Sequence, residues 1–218
     1  MLNRFARALF TRLLTPAARA LIRLGVSPDV VTLVGTLGVS VGALAFYPRG
    51  EFFWGTVVIT VFVFSDTVDG IMARESQRSS DWGAFLDSTL DRIGDAAVFG
   101  GLVLYYAGGD RGRDVVMGAL ALACLVLGSV VSYARARAEG LGMTASVGIA
   151  ERADRLVAVL LTTGLVGLGW EFGFGLPEVV LLVVLAALAV ASLVTVVQRM
   201  LTVRRQAFAR AAAGPTDA

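Results

Sequence analysis

The sequence predicts an all-α integral membrane protein, with six transmembrane helices preceded by an N-terminal amphipathic helix lying in the membrane interface. Three observations predict it. The 218 residues are 56% hydrophobic with a mean hydropathy of +0.76, more apolar side chain than a soluble core of this length buries. Apolar runs long enough to cross a bilayer recur along the chain. All 19 basic residues are arginine, and they collect at alternate ends of those runs. Histidine is absent and Cys124 is the single cysteine, so no disulfide forms within the chain and carboxylates are left as the obvious titrating and metal-binding groups. The expected organisation is one membrane domain, 1–218: an interfacial helix over 1–24, a bundle over 28–203 and a tail over 206–218. Membrane lipids are its surroundings, and no nucleic-acid partner is expected.

Leu2 to Leu24 carries Arg4, Arg7, Arg12, Arg19 and Arg23, too many charges to span. Leu2, Phe5, Leu9 and Leu13 fall on one side at helical spacing, with Arg4, Arg7 and Thr11 opposite, the pattern of a helix lying in the interface. It lacks the uncharged core and cleavage site of a signal peptide, so it is expected to be retained. Ser27-Pro28-Asp29 is a helix start signal, and Val30 to Tyr47 makes the first span. Glu51 to Arg74 makes the second, Gly83 to Ala107 the third, Val115 to Ala134 the fourth, Leu156 to Trp170 the fifth and Pro177 to Val197 the sixth. Six crossings put both termini on one side. That side holds Arg74, Arg78, Arg135, Arg137, Arg152, Arg155, Arg199, Arg204, Arg205 and Arg210, whereas the opposite loops hold only Arg49, Arg111 and Arg113. The arginine-rich side, with both termini, is therefore expected to be cytoplasmic and the protein to be a multi-pass protein of the cell membrane.

The segment from Ser65 to Arg92 places Asp66, Asp69, Asp87 and Asp91 at the same end of two adjacent apolar helices, joined by a short polar connection. Asp66 and Asp69 lie one turn apart on a helix, as do Asp87 and Asp91, so each pair shares a face. A tight antiparallel turn brings the two faces together, and carboxylates gathered there repel unless cations sit among them. Oxygen-only ligands suit hard divalent ions, Mg2+, Mn2+ or Ca2+. Gly70 and Gly83 offer surfaces without side chains, where a bulky ligand can approach the backbone.

The spacing Asp66-x2-Asp69-Gly70-x2-Ala73-Arg74-x8-Gly83-x3-Asp87-x3-Asp91 resembles, at all eight fixed positions, the signature of the CDP-alcohol phosphotransferase family of membrane enzymes. The resemblance implies displacement on CDP-diacylglycerol: an acceptor hydroxyl attacks the phosphorus bearing diacylglycerol, and CMP leaves. It implies Asp66, Asp69, Asp87 and Asp91 as ligands of Mg2+ or Mn2+, two ions in number, with Asp91 also the general base. CDP-diacylglycerol contacts carry over onto Asp29, Thr32, Gly70, Arg74 and Ser80. A homodimer is implied as well. Asp95 continues the face of Asp87 and Asp91 and reads as a partner of Arg92 outside the site.

Ser132 to Gly140 reads SYARARAEG, and Glu151 to Arg155 reads ERADR. Arginine forks suit phosphate oxygens. These motifs resemble the branch of the family whose acceptor is inositol 1-phosphate, the phosphatidylinositol phosphate synthases. The expected inositol phosphate contacts are Arg135, Arg137, Arg152, Arg155 and Arg199. Two rivals stand beside this reading. Glycerol 3-phosphate, the acceptor of a phosphatidylglycerophosphate synthase, also calls for a basic pocket. A divalent-cation transporter also carries intramembrane acids, but it needs polar residues through the full depth of several helices, and Phe99 to Tyr105 is apolar beyond Asp95.

Overall fold

A computed structural model describes residues 14–75, 80–108 and 114–213, and the side chains of Asp66, Thr67 and Ala213 also lie outside the described atoms. Every element of it is helical. A helix over 14–23, α1, precedes α2 (Pro28–Phe46), a 3-10 turn (Tyr47–Arg49), α3 (Phe52–Val63), α4 (Ser65–Glu75), α5 (Asp81–Gly108), α6 (Val115–Gly140), α7 (Arg152–Phe172) and α8 (Glu178–Ala213). The chain forms two compact units, Met1–Gly101 and Leu102–Ala218, divided within α5.

In the first unit α2 starts where the sequence signals it. The Ser27 hydroxyl accepts the Val30 N–H at 3.4 Å, and Pro28 occupies the first turn, where a missing N–H costs nothing. Its faces are the reverse of a soluble helix. Val30, Leu33, Val34, Leu37, Val41 and Leu44 are exposed, while Thr32, Gly35, Thr36 and Gly42 are buried. Large apolar groups outward and small or polar groups inward is the arrangement that lipid selects. A side chain on Gly35 would overlap the Ser65 hydroxyl, and one on Gly38 would overlap the Phe62 ring, so these glycines let α3 and α4 lie against α2.

The second expected span is interrupted. The helix pauses at Phe64, where Ser65 Oγ donates to the Phe62 carbonyl at 2.6 Å and the Phe64 and Val68 amides reach their carbonyls only at 3.4 and 3.3 Å. Serine competing for a helix carbonyl loosens the ladder at the turn that introduces Asp66. On the other side of α4, Ile71 and Met72 bury against Ala18 of α1, with Leu14, Leu21, Ile22 and Val68 around them. Arg19 adds a two-pronged ion pair to Glu75, Nη2 to Oε1 and Nε to Oε2 both at 2.9 Å. The first half of the expected interfacial helix, residues 1–13, lies outside the described residues.

In the second unit α8 packs against both α6 and α7. Its inner face is apolar at first and polar further on: Leu181, Leu185, Ser192, Thr195 and Arg199 are buried, and Val183, Val190, Leu193 and Val197 are exposed. At 36 residues it extends about 54 Å, well beyond the ~30 Å hydrocarbon layer. Residues 206–213, expected within the tail, are helical; the rest of that tail lies outside the described residues. Likewise α6 continues past Ala134 to Gly140, so Arg135 and Arg137 are helical residues.

Among the described residues, five helices are long and apolar enough to cross a membrane: Pro28–Arg49, Phe52–Glu75, Val115–Gly140, Arg152–Phe172 and Glu178–Ala212. The expected third span, α5, stands apart because Asp81, Asp87, Asp91, Arg92 and Asp95 charge its first half.

Candidate active site

Three helices of the first unit wall a cavity of about 240 Å³. Pro28, Asp29 and Thr32 come from the first turns of α2, and Asp69, Gly70 and Ala73 from the middle of α4. Ser80, Gly83, Ala84 and Asp87 come from the start of α5. Six of the residues expected from the sequence to bind substrate or metal therefore meet here: Asp29, Thr32, Asp69, Gly70, Ser80 and Asp87. Helix starts explain two of them. Asp29 sits in the first turn of α2, where the helix dipole favours an anion. The Ser80 hydroxyl accepts the Gly83 N–H at 3.0 Å and so caps α5 while lining the cavity.

Asp69 is the buried acid of the group, 7% exposed. The Thr32 hydroxyl lies 2.5 Å from its Oδ2 and 3.1 Å from the Pro28 carbonyl. A hydrogen bond of this kind lets a carboxylate stay charged in a poorly hydrated wall. Thr32, expected as a substrate contact, thus also orients Asp69. Asp87 is exposed toward the opening. Asp91, one turn further along α5, does not line the cavity; Arg92 lies between it and Asp95, its Nη2 at 3.7 Å from Asp91 and 3.8 Å from Asp95. Arg74 is exposed beside the cavity, its Nη1 3.6 Å from where a side chain on Gly70 would begin. The Asp66 side chain lies outside the described atoms, and among the described residues no three acidic side chains gather at one point.

The chemistry of these donors fits a hard cation, since the cavity offers carboxylate and hydroxyl oxygens and neither nitrogen from histidine nor sulfur. Its glycines fit a bulky neighbour. A side chain on Gly83 would come no closer than 3.4 Å to another atom of the chain, and on Gly70 no closer than 3.6 Å. Packing within the protein therefore does not demand glycine at either place, and the space beside each is open to a ligand.

The second unit holds the five arginines, and they divide by burial. Arg155 is 1% exposed, with its Nη1 donating to the Ala150 carbonyl at 3.1 Å and its guanidinium lying against Gly128, where any side chain would crowd it. Arg199 is 5% exposed, donating from Nε to the Val147 carbonyl at 2.9 Å and from Nη1 to the Val131 carbonyl at 2.5 Å. Arg135 is exposed and paired with Glu139 one turn on, at 2.9 Å. Arg137 is exposed and Arg152 half-buried. Carbonyl dipoles solvate the buried guanidinium groups without cancelling their charge, which leaves this region attractive to an anion.

Sequence reasoning missed what holds the segment between α6 and α7. Thr195 Oγ1 accepts the Ile149 and Ala150 amides, Gln206 bonds both the N–H and the carbonyl of Thr144, and Arg210 donates to the Leu141 and Gly142 carbonyls. With Arg199 these form one polar row on α8, at positions 195, 199, 206 and 210. That recurrence along a single helix face was the available signal.

The chain resembles known proteins over most of its length. The sequence pattern of the CDP-alcohol phosphatidyltransferases matches residues 25–190. A phosphatidylinositol phosphate synthase of Streptomyces avermitilis is 59% identical over 94% of this chain and 84% of its own. One from Cutibacterium acnes is 48% identical over 94% of this chain and 98% of its own. The crystal structure of the Mycobacterium tuberculosis phosphatidylinositol phosphate synthase with CDP-DAG bound superposes with a TM-score of 0.81 at 44% identity, over 88% of this chain and 94% of that one. The same enzyme in complex with manganese and citrate also gives 0.81, at 44% identity over 87% and 88%. With the family pattern covering both the aspartate cavity and the arginines of α6 and α7, the chain belongs to the CDP-alcohol phosphatidyltransferase family.

Proposed function

We propose that this enzyme transfers the phosphatidyl group of CDP-diacylglycerol to 1D-myo-inositol 3-phosphate (inositol 1-phosphate), giving phosphatidylinositol phosphate and CMP. The observation that carries the reading is the glycine-walled cavity joining Asp29, Thr32, Asp69, Gly70, Ser80 and Asp87, which offers oxygen ligands and space side by side. Asp66, Asp69, Asp87 and Asp91 would hold Mg2+ or Mn2+, which when bound neutralises the pyrophosphate and stabilises departing CMP. The chain's own residues do the rest. Gly70 and Gly83 admit the nucleotide, Asp29 and Ser80 contact it, and Arg74 meets a phosphate. Thr32 keeps Asp69 in place. Asp91 accepts the proton as the acceptor oxygen bonds to the lipid-bearing phosphorus and the bond from that phosphorus to the CMP oxygen breaks. Arg135, Arg137, Arg152, Arg155 and Arg199 receive the acceptor's phosphate.

In this reading α5 is also a crossing, the third in chain order, which brings the total to six, its apolar second half in lipid and its acidic first half toward the cytoplasm. The arginine distribution supports a cytoplasmic opening, and the family resemblance supports a homodimer in the cell membrane. The test is CMP release by purified protein with CDP-diacylglycerol, Mg2+ and one acceptor at a time. Inositol 1-phosphate should support turnover and free inositol almost none. Equal rates with both would overturn the phosphate-recognition argument, and preference for glycerol 3-phosphate would transfer the enzyme to the phosphatidylglycerophosphate branch.

A further inference from the structure

We infer that Thr195 is a positioning residue for the acceptor phosphate, acting by holding the peptide on which the Arg155 guanidinium rests. The inference rests on the reading above that Arg155 binds that phosphate. Thr195 is fully buried in α8, and its hydroxyl has its whole hydrogen-bonding capacity in use. It donates to the Ala191 carbonyl at 2.8 Å, and its two lone pairs accept the Ile149 and Ala150 amides at 3.2 Å each. Donation along the helix therefore aims the acceptor side of the oxygen at the segment preceding α7. The carbonyl of the same Ala150 receives Arg155 Nη1. Thr195, Ala150 and Arg155 thus form a relay, from a rigid helix through one residue to the cation.

Two neighbours show that the segment is shaped to this contact. Gly148 has φ +149°, a conformation that favours glycine, and a side chain there would start 2.4 Å from Thr195 Cγ2. One turn along α8, Arg199 holds the Val147 carbonyl. The segment is thus gripped at 147, 149 and 150, immediately before the residues that carry Arg152 and Arg155. A guanidinium seated on a fixed carbonyl is held in a fixed plane, and phosphate binding by a planar fork depends on that plane. The hydrogen bonds of the relay run between α8, the segment before α7 and α7 itself, so its loss should act on the acceptor alone.

The experiment is steady-state kinetics of the full-length enzyme with each substrate varied while the other saturates. Thr195→Val keeps the shape and removes the hydroxyl. It should raise KM for inositol 1-phosphate about tenfold, the scale of one misdirected charge-assisted hydrogen bond, with kcat and KM for CDP-diacylglycerol within twofold of wild type. Thr195→Ser, which keeps the hydroxyl, should restore the wild-type acceptor KM. Combined with Arg155→Lys, Thr195→Val should add little to the acceptor KM, because the group it positions has been replaced. Should Thr195→Val not yield folded protein, Thr195→Ala takes its place with the same expected split. An acceptor KM unchanged in Thr195→Val while Arg155→Lys raises it would overturn this inference alone. Parallel rises in both KM values, or a serine variant as impaired as the valine, would also overturn it. An Arg155→Lys enzyme with wild-type acceptor KM would instead remove Arg155 from the phosphate site, and this inference with it.

Discussion

The aspartate cavity and the arginine group solve opposite electrostatic problems by opposite means. In the first unit the described acids of the cavity divide: Asp87 is exposed, and Asp69 is buried, steadied by Thr32. In the second unit Arg155 and Arg199 are withdrawn almost completely and solvated by the carbonyls of Ala150, Val131 and Val147. An open cluster of acids can wait for cations to arrive with the ligand. A buried arginine cannot wait; its partners must be built in, and they double as structure. The difference teaches that substitutions in the cavity should cost activity with little stability, whereas those at the buried arginines should cost both.

The largest effects belong to the cavity. Chelating divalent ions should abolish CMP release, with recovery on adding Mg2+ or Mn2+; full turnover in chelator would break the comparison at its first term. Asp69→Asn or Asp91→Asn should lower turnover by roughly 10²–10⁴-fold while thermal unfolding in detergent stays near wild type. Next comes Arg199→Met, which takes the side-chain donor from the Val147 carbonyl and a second donor from the helical Val131 carbonyl, and should destabilise by about 2–3 kcal/mol. Arg137→Met, at an exposed position, should shift stability by no more than about 0.5 kcal/mol; equal losses from the two would erase the distinction between buried and exposed arginines. Smallest is Arg19→Gln. That ion pair with Glu75 is exposed, so thermal unfolding should stay indistinguishable from wild type, and a clear loss would mean that α1 holds α4 by charge rather than through Ala18, Ile71 and Met72.

Local signals carried far along this chain. Ser27-Pro28-Asp29 marked the start of α2, and the aspartate and glycine spacing marked half of the residues that line the cavity, because α4 and α5 follow one another closely in sequence. Other features depend on contacts between distant segments. The pause at Phe64 depends on Gly35 of another helix making room for Ser65. The extra turns of α8 depend on Gln206 and Arg210 finding carbonyls over 60 residues away in sequence. Charge spacing alone cannot distinguish Arg199, which faces Val131 and Val147, from Arg137, which faces water. Pro28 and Ala84 line the cavity by position, with no chemical signal of their own.

The division of labour between the two regions is tested most directly by a crossed measurement of KM in Gly83→Ala and Arg155→Lys. Gly83→Ala narrows the cavity wall where no chain atom stands in the way, so KM for CDP-diacylglycerol should rise about tenfold and KM for inositol 1-phosphate should not move. Arg155→Lys should do the reverse. If each substitution raised both constants alike, the cavity and the arginines would not be serving separate substrates, and the account would be contradicted.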